Sequence, residues 1–264
     1  LLGSLLESEW WFGRGDEYVV AVPTDVTEVE KKAFYDLVYH SEARAKSVRI
    51  VERGLVDALG FGIDVIKEKG VFVANFGGGT TELSVLSEGG MVLNRLLKIG
   101  GEDFDSAIAA LVRRSQDFLI GRLTAERLRR EFGIFDQSTD SVIAVSGRDL
   151  ITGVPAQTTV SISLVRAAMK ELLEECVHAM KSMIDRTPPN VRSWIRENGI
   201  CLTGGMANLR GLSTYLREST GLPVMTMENP ELCAVRGLQK VLQDRTYYNR
   251  LTYSMMDEGY RWLR

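Results

Sequence analysis

Apolar residues along the chain occur either in compact runs, which are typical of strands, or at helical spacing. The changes between these two patterns divide the chain into strands and helices. Compact apolar runs at 18–22 and 48–51 predict buried strands. Three more runs, at 71–74, 83–86 and 91–99, are separated by short turns that contain glycine. Strands joined by turns this tight pair with their neighbours, so these three predict an antiparallel meander.

Helical spacing governs most of the remaining chain. Thr27 and Glu30 have the spacing of a capping box, and an apolar stripe predicts a long helix over residues 164–185. The other predicted elements are a helix at 55–59, a helix from about Glu102 or Asp103, a helical pair at 120–132, β-like runs at 141–145 and 158–162 flanking a loop with Gly147, strands at 200–203 and 223–227, and helices from about Leu209 and at 230–242. This order predicts an α/β fold, with a mixed sheet flanked by helices and a small α+β insertion.

Composition and charge narrow the class of protein. The chain has 264 residues, of which 45% are hydrophobic, and a formal net charge of -3, which predicts no general attraction to nucleic acid. Its cysteines, Cys176, Cys201 and Cys233, are too widely spaced for a disulfide framework or a zinc site, so we expect buried thiols and no metal centre. Apolar runs are too short to cross a bilayer and no secretory signal is visible, which predicts a cytoplasmic protein. The sequence begins at Leu1 without an initiator Met, and we expect a fragment or a processed chain.

A glycine-rich turn joins the first two strands of the meander. Gly77, Gly78 and Gly79 can adopt backbone angles that are closed to other residues. Successive N–H groups of such a turn can point into one concavity, which suits phosphate oxygens. Thr80 and Thr81 could add hydroxyl donors at its rim. The turn alone is equally compatible with a flexible hairpin that carries a glycine run by accident.

Two further glycine pairs lie where a predicted strand meets a predicted helix. The first is Gly100-Gly101-Glu102, and the N-terminus of the helix that follows is expected to offer unpaired N–H groups. The second is Gly204-Gly205-Met206. Ligands of open α/β sheets bind at the carboxyl ends of the strands. The three turns together therefore predict one pocket for a nucleotide.

Six stretches of the sequence, in this order and at this spacing, resemble the MreB family of bacterial actins, within the superfamily of actin, sugar kinases and heat-shock chaperones. They are residues 22–30 (VPTDVTEVE), 77–82 (GGGTTE), 99–105 (IGGEDFD), 124–127 (TAER), 147–150 (GRDL) and 202–205 (LTGG). The resemblance runs from about residue 19 to residue 242. It implies an actin-like ATPase fold with a ribonuclease H-like lobe, in which the first lobe is incomplete.

The resemblance also implies a division of the chain. Residues 1–70 would be the remnant of the first actin-like lobe, and residues 71–105 with 161–245 would form the nucleotide-facing core of the second lobe. Residues 106–160 would be the inserted small subdomain, and residues 246–264 a C-terminal tail. The aromatic and basic residues of the tail suit a membrane surface or a partner, or else a segment packed on its own lobe.

By the same resemblance, the glycine turns form a site for ATP and Mg²⁺. Residues 77–81 would be the second phosphate loop, and Gly101 and Glu102 would lie near the phosphates and the ribose. The residues implied to contact adenosine or close the purine pocket are Glu126, Arg129, Arg130, Gly204, Gly205 and Met206. Without the resemblance, Glu126, Arg129 and Arg130 are better interpreted as a solvated helix face.

Three departures from the family pattern bear on catalysis. The hairpin that carries the family's other phosphate loop has no counterpart in residues 1–17. Asn75 stands where relatives have a carboxylate that helps to position metal-bound water, and Glu52 is followed by Arg53 where relatives have a second Glu that orients the attacking water. Arg53 has no lone pair with which to accept a proton, and a neutral amide is a poorer partner for Mg²⁺ or its water. We therefore expect weak or absent hydrolysis.

Two functions of different classes follow from the resemblance. The first is a nucleotide-dependent, filament-forming cytoskeletal protein in cell-shape determination, with copies of itself and membrane-associated cell-shape proteins as partners, at the inner face of the cytoplasmic membrane. The second is a degenerate, non-hydrolysing actin-like scaffold or regulator. A sugar kinase or chaperone ATPase ranks third, because the chain has no recognisable substrate-binding domain for either.

Overall fold

The computed structural model describes residues 16–41, 45–134 and 141–256. Predictions for residues 1–15, and for the tail beyond residue 256, lie outside the described residues. The first described unit has two parallel strands, β1 (Glu17–Val22) and β2 (Ser47–Glu52), joined through helix α1 (Glu28–Tyr39). The predicted capping box is confirmed, because the Thr27 backbone donates to Glu30 Oε2 at 2.8 Å and the Glu30 backbone donates to Thr27 Oγ1 at 3.3 Å.

A five-stranded mixed sheet forms the centre of the molecule. Its strands are β3 (Val71–Phe76), β4 (Thr81–Ser87), β5 (Gly90–Leu97), β9 (Ile200–Thr203) and β10 (Val224–Met225), in the order β10-β9-β3-β4-β5. β3, β4 and β5 are antiparallel neighbours, which confirms the predicted meander. β9 pairs with β3 in parallel, and β10 with β9 in parallel. The carboxyl ends of β3 and β9 therefore meet at one edge of the sheet, and each is followed by a predicted glycine turn.

Helices cover both faces of this sheet. They are α2 (Arg53–Phe61), α3 (Gly101–Gln116), α4 (Arg122–Phe132), α5 (Ile162–Arg186), α6 (Pro189–Asn198), α7 (Leu212–Thr220), α8 (Cys233–Gln243) and α9 (Arg245–Leu251), with short 3₁₀ segments at Gly205–Asn208 and Pro230–Leu232. The side chains of β3 alternate between the two faces, as the period of a strand requires. Phe72, Ala74 and Phe76 join the core beside α3 and α5, whereas Val71 and Val73 join the core beside α2 and α8.

A third, three-stranded sheet lies between α3 and α5 in the sequence. It consists of β6 (Phe118–Leu119), β7 (Val142–Asp149) and β8 (Pro155–Ser161), all antiparallel. Two expectations are wrong here. The segment 120–132, expected to be a helical pair, holds the single helix α4. Gly147 lies within β7, where it packs on the Leu119 backbone, rather than in a loop. The boundaries of the predicted subdomains stay a prediction, although each sheet falls almost entirely within one of them.

The described part of the tail packs on the first unit. Tyr253 forms an antiparallel bridge with Ile50, with backbone hydrogen bonds of 2.8 and 3.0 Å. Arg49 Nε donates to Thr252 Oγ1 at 2.6 Å, and the Tyr253 hydroxyl donates to Glu52 Oε1 at 2.9 Å. Among the described residues, no helix is long and apolar enough to span a membrane.

Candidate nucleotide site

A cavity of about 610 Å³ opens where the glycine turns meet. This volume is within the range of small-molecule sites. Its walls come from the turn after β3, the first turns of α3, one face of α4 and the 3₁₀ segment after β9. The lining residues are Gly77, Gly78, Gly101, Glu102, Asp105, Arg122, Glu126, Arg129, Arg130, Gly205, Met206, Asn208, Leu209 and Glu231. Members of all three predicted turns thus share one cavity with Glu126, Arg129 and Arg130.

The first two turns are bonded to each other through their backbones. Gly101 N donates to Gly77 O at 3.0 Å, and Glu102 N donates to Gly78 O at 2.8 Å. A Cβ at Gly100 would collide with the backbone of the 77–79 turn, so this close approach requires glycine. The expectation that the N-terminus of α3 offers unpaired N–H groups is therefore wrong for Gly101 and Glu102, because the carbonyls of the turn already accept from them.

The donors suited to a phosphate lie in the turn itself. Gly77 N donates to Thr80 O at 2.8 Å, which closes the turn. Among the described residues, no backbone hydrogen bond engages the N–H groups of Gly78 and Gly79, and a Cβ at either would meet nothing within 4 Å. Gly78 and Gly79 thus have N–H groups without a backbone partner on an exposed turn, and Gly78 also lines the cavity. A free backbone N–H beside a cavity is a donor that an anion can use.

Arg129 forms a buried ion pair rather than an exposed contact. Its Nε and Nη2 donate to the two carboxylate oxygens of Asp105 at 2.6 and 3.3 Å, and its Nη1 lies 2.7 Å from Met206 Sδ. Arg129 is 7% exposed. A Cβ on Gly101 would lie 3.3 Å from Arg129 Nη2, so glycine there leaves room for the guanidinium. Arg129 and Asp105 hold α4 against α3, and together they form the floor of the cavity.

Two more ion pairs lie at the rim of the cavity. Arg122 Nη1 is 3.0 Å from Glu102 Oε1, and Arg130 Nη2 is 2.7 Å from Glu126 Oε1. The Arg122 and Arg130 side chains are 67% and 71% exposed. Pairs this exposed contribute little to stability. Both guanidinium groups can therefore exchange their present partners for an anionic ligand at small cost.

The other predicted binding residues support the turns without lining the cavity. The Thr81 hydroxyl is buried and donates to Ile99 O at 2.8 Å, so it does not reach the rim. Gly204 has a φ of 85° and packs on the backbone of Phe76, a position that a side chain could not occupy. Gly79, Thr80 and Gly100 belong to the bonded turns described above.

The residues at the three catalytic positions are engaged with neighbours. Arg53 Nη1 lies 2.6 Å from Glu82 Oε1, and Thr24 N donates to the other oxygen of Glu82 at 3.3 Å. Glu52 accepts the hydroxyl of Tyr253. Arg53 stands where relatives are implied to have a water-orienting carboxylate. Its guanidinium is held by a different carboxylate, that of Glu82.

Asn75 is bonded to a buried acid that the sequence did not point to. Its Nδ2 donates to Asp57 Oδ2 at 2.6 Å, and Asp57 is 1% exposed. Burial raises the pKa of the Asp57 carboxyl to about 7, against the smaller, opposing effects of the Asn75 hydrogen bond and the positive charge of Arg53. The Thr203 side chain also lowers this pKa, by a smaller amount.

Sequence reasoning missed the three acids that hold the polar side chains described above, which are Asp57, Glu82 and Asp105. Asp57 did leave a signal, because it is the one acid in the apolar run 54–61 and a helix buries such a charge only against a partner. Asp105 lies one helical turn after Gly101, on the face that bears the cavity. Glu82 left no signal, because it alternates with apolar residues as a solvent-facing strand residue would.

Comparison with known proteins identifies the family. The family model described as "MreB/Mbl protein" matches residues 7–250. The chain belongs to the MreB/Mbl family. It is 38% identical over 226 residues to the cell shape-determining protein MreB of Escherichia coli (strain K12), a match that covers 85% of this chain and 65% of the relative. The chain thus spans somewhat less than two thirds of the length of that MreB.

Solved structures confirm the predicted actin-like fold. MreB 5 of Spiroplasma citri bound to AMPPNP superposes with a TM-score of 0.85 at 26% identity, over 94% of this chain and 75% of that one. The MamK double helical filament superposes with a TM-score of 0.75 at 17% identity, over 92% of this chain and 74% of that one. The second likeness establishes the fold alone.

Proposed function

We propose that this member of the MreB/Mbl family binds an adenine nucleotide, ATP or ADP, in the cavity between the glycine turns. The observation that carries the proposal is the convergence of the 77–79 turn, the start of α3 and the 205–208 segment on one cavity of about 610 Å³. The free amide of Gly78, which lines the cavity, suits a phosphate, and the apolar side of the cavity, with Met206 and Leu209, suits a base. The related MreB 5 was crystallised with AMPPNP.

Mg²⁺ would enter this site with the phosphates. The described residues contain no group of three or more His, Cys, Asp or Glu that could hold a metal ion by themselves. Mg²⁺ keeps several of its waters and is commonly bound through substrate phosphates, so a site that lacks a carboxylate cage fits it. When bound, the ion would neutralise phosphate charge, while the amide of Gly78 would hold a phosphate oxygen.

Binding can be tested by isothermal titration calorimetry with AMPPNP and Mg²⁺. Gly78→Asp places a carboxylate where the open amides would meet phosphate, and we expect affinity to fall by about tenfold or more, because juxtaposed like charges cost several kcal/mol. Gly90→Asp is the matched control, since Gly90 is exposed and lies at the start of β5, away from the cavity. Equal binding by both variants would contradict the assignment of the phosphate turn.

We further propose that hydrolysis is weak or absent. Arg53 and Asn75 take the places implied for catalytic carboxylates, and both are held by acids, at 2.6 Å from Glu82 and from Asp57. Neither can act as a general base toward water. Steady-state phosphate release from Mg-ATP should stay near the background rate. Turnover comparable to that of an active relative, and lost in Gly78→Asp, would refute this.

The biological role that we propose is that of a nucleotide-dependent filament protein in cell-shape determination. Its support is the family itself, whose Escherichia coli member is a cell shape-determining protein, and a fold shared with the filament of MamK. The proposed partners are copies of the same chain and membrane-associated cell-shape proteins, in the cytoplasm and at the inner face of its membrane. The second candidate is a non-hydrolysing actin-like scaffold, which the engaged Arg53 and Asn75 favour.

A further inference from the structure

A buried contact joins helix α2 to the end of strand β3 just before the phosphate turn. Asp57 Oδ2 accepts a short hydrogen bond, 2.6 Å, from Nδ2 of Asn75. Asp57 is 1% exposed, whereas Asn75 is half-buried. The Asp57 side of the contact is therefore shielded from solvent, whereas the Asn75 side is partly exposed.

The acid decides which way the amide of Asn75 points. A carboxylate only accepts hydrogen bonds, so it must face the NH₂ group of the amide and not its oxygen. The amide oxygen, Oδ1, is left on the opposite side. A Cβ built on Gly204 would lie 2.7 Å from this oxygen, and one built on Gly77 would lie 3.7 Å from it. Oδ1 thus lies beside Gly77 of the first glycine turn and Gly204 of the third.

An oxygen in this place discriminates between ligands. It repels a bare phosphate oxygen, because both are acceptors. It accepts a hydrogen bond from a water molecule, including one in the hydration shell of a cation that accompanies phosphates. The reverse orientation, with Nδ2 toward the turns, would favour the bare phosphate instead.

Asp57 is held firmly enough to impose this choice. Its backbone carbonyl accepts Cys233 Sγ at 3.0 Å. Around it, α2 and α8 approach so closely that a Cβ at Gly60 or Gly237 would collide with the backbone of the other helix. The backbone of Asp57 is therefore fixed, and a side chain that is 1% exposed has little room to turn away from Asn75.

We propose that Asp57 is a positioning residue that keeps the oxygen of Asn75 turned toward the phosphate site, and that the site consequently prefers the magnesium complex of a nucleotide to the free nucleotide. The proposal rests on the nucleotide-binding function proposed above. It assigns to Asn75 a hydrogen-bonding role in binding that does not require hydrolysis.

The test compares the Kd for AMPPNP in excess Mg²⁺ and in EDTA, at pH 8, above the pKa of about 7 of the Asp57 carboxyl. The wild type should bind more tightly with Mg²⁺. Asp57→Ala removes the acceptor of Nδ2 and frees the amide to turn. We expect the preference for Mg²⁺ to shrink by about three- to tenfold, the size of one hydrogen bond. Asp64→Ala, at a half-buried acid paired with Lys67 and outside the cavity lining, should keep the wild-type preference.

The double variant Asp57→Asn with Asn75→Asp separates positioning from a general structural effect. It exchanges the acid and the amide, so that the new amide donates to the new acid and an oxygen still faces the turns. The preference for Mg²⁺ should return to the wild-type value or exceed it, and thermal melting shows which variants are folded.

An unchanged preference in Asp57→Ala, or a double variant no better than Asp57→Asn alone, would overturn the positioning role while leaving nucleotide binding intact. A wild-type protein that binds AMPPNP in neither buffer would instead overturn the proposed function itself.

Discussion

The buried carboxyl of Asp57 makes the stability of the protein depend on pH. Its pKa is raised from 3.8 to about 7 in the folded state, so the folded state holds this proton more tightly than the unfolded state does. The contribution of Asp57 to stability is therefore greatest below pH 4 and is lost as the pH rises through 7. The charged or titratable groups that interact with it are Arg53 on the same helix, Glu82 on β4 and Cys233 on α8.

Asp57→Asn keeps the shape of the side chain and removes the titration. We expect it to raise the free energy of unfolding more at pH 8 than at pH 5, by roughly 2–3 kcal/mol, because each pKa unit corresponds to about 1.4 kcal/mol. Urea unfolding of both proteins at the two pH values measures the difference. A gain of equal size at both pH values would show that Asp57 does not titrate between them.

Single residues were predictable where backbone geometry dictates the residue type. Gly100 and Gly204 were found from the sequence, because strand-to-helix turns that pack on another backbone exclude a side chain. The roles of Arg129 and Asn75 were not predictable, because each depends on a partner brought close by folding: Asp105, 24 residues away, and Asp57, 18 residues away. Periodicity shows which face a residue occupies, but not which side chain meets it there.

At the scale of elements, helices α2 and α8 pack with their backbones in close contact. A Cβ on Gly237 would collide with Val56 O, and a Cβ on Gly60 would collide with Cys233 O. Gly237→Ala should therefore lower the free energy of unfolding by about 1–3 kcal/mol, as overpacking does. This would happen although Ala favours a helix by up to about 1 kcal/mol over Gly.

Gly121→Ala provides the control for that prediction, because a Cβ there meets nothing within 4 Å. Chemical denaturation of the two variants beside the wild type should show a loss for Gly237→Ala that is clearly larger. Similar losses in the free energy of unfolding for both variants would mean that α2 and α8 can move apart without loss of stability.

Elements with a long, regular pattern were predicted well, and short ones were not. α5 extends one or two residues beyond its predicted ends, because its apolar stripe continues over 25 residues. β6 has two residues and is defined only by its pairing with Asp149 and Arg148 of β7, so no local pattern reveals it. The sequence therefore predicts the long helices and the main sheet, but not the edge strand β6 of the small three-stranded sheet.

At the scale of the whole molecule, filament formation separates the two proposed functions. If the chain is a nucleotide-dependent filament protein, ultracentrifugation should pellet more of the protein with AMPPNP and Mg²⁺ than with EDTA in place of Mg²⁺. Gly78→Asp should abolish that difference, because it blocks the phosphate turn, and Gly90→Asp should preserve it. A scaffold that does not respond to nucleotide would pellet to the same extent under all of these conditions.

The bridge between Tyr253 and Ile50 also sets the order in which the protein can be completed during synthesis. Arg49 meets Thr252 across a separation of 203 residues. At roughly 5–20 residues per second, the ribosome needs roughly 10–40 s to deliver the second partner after the first. Throughout that interval the outer edge of β2 lacks its cover, and the nascent chain carries an open strand that another polypeptide could pair with.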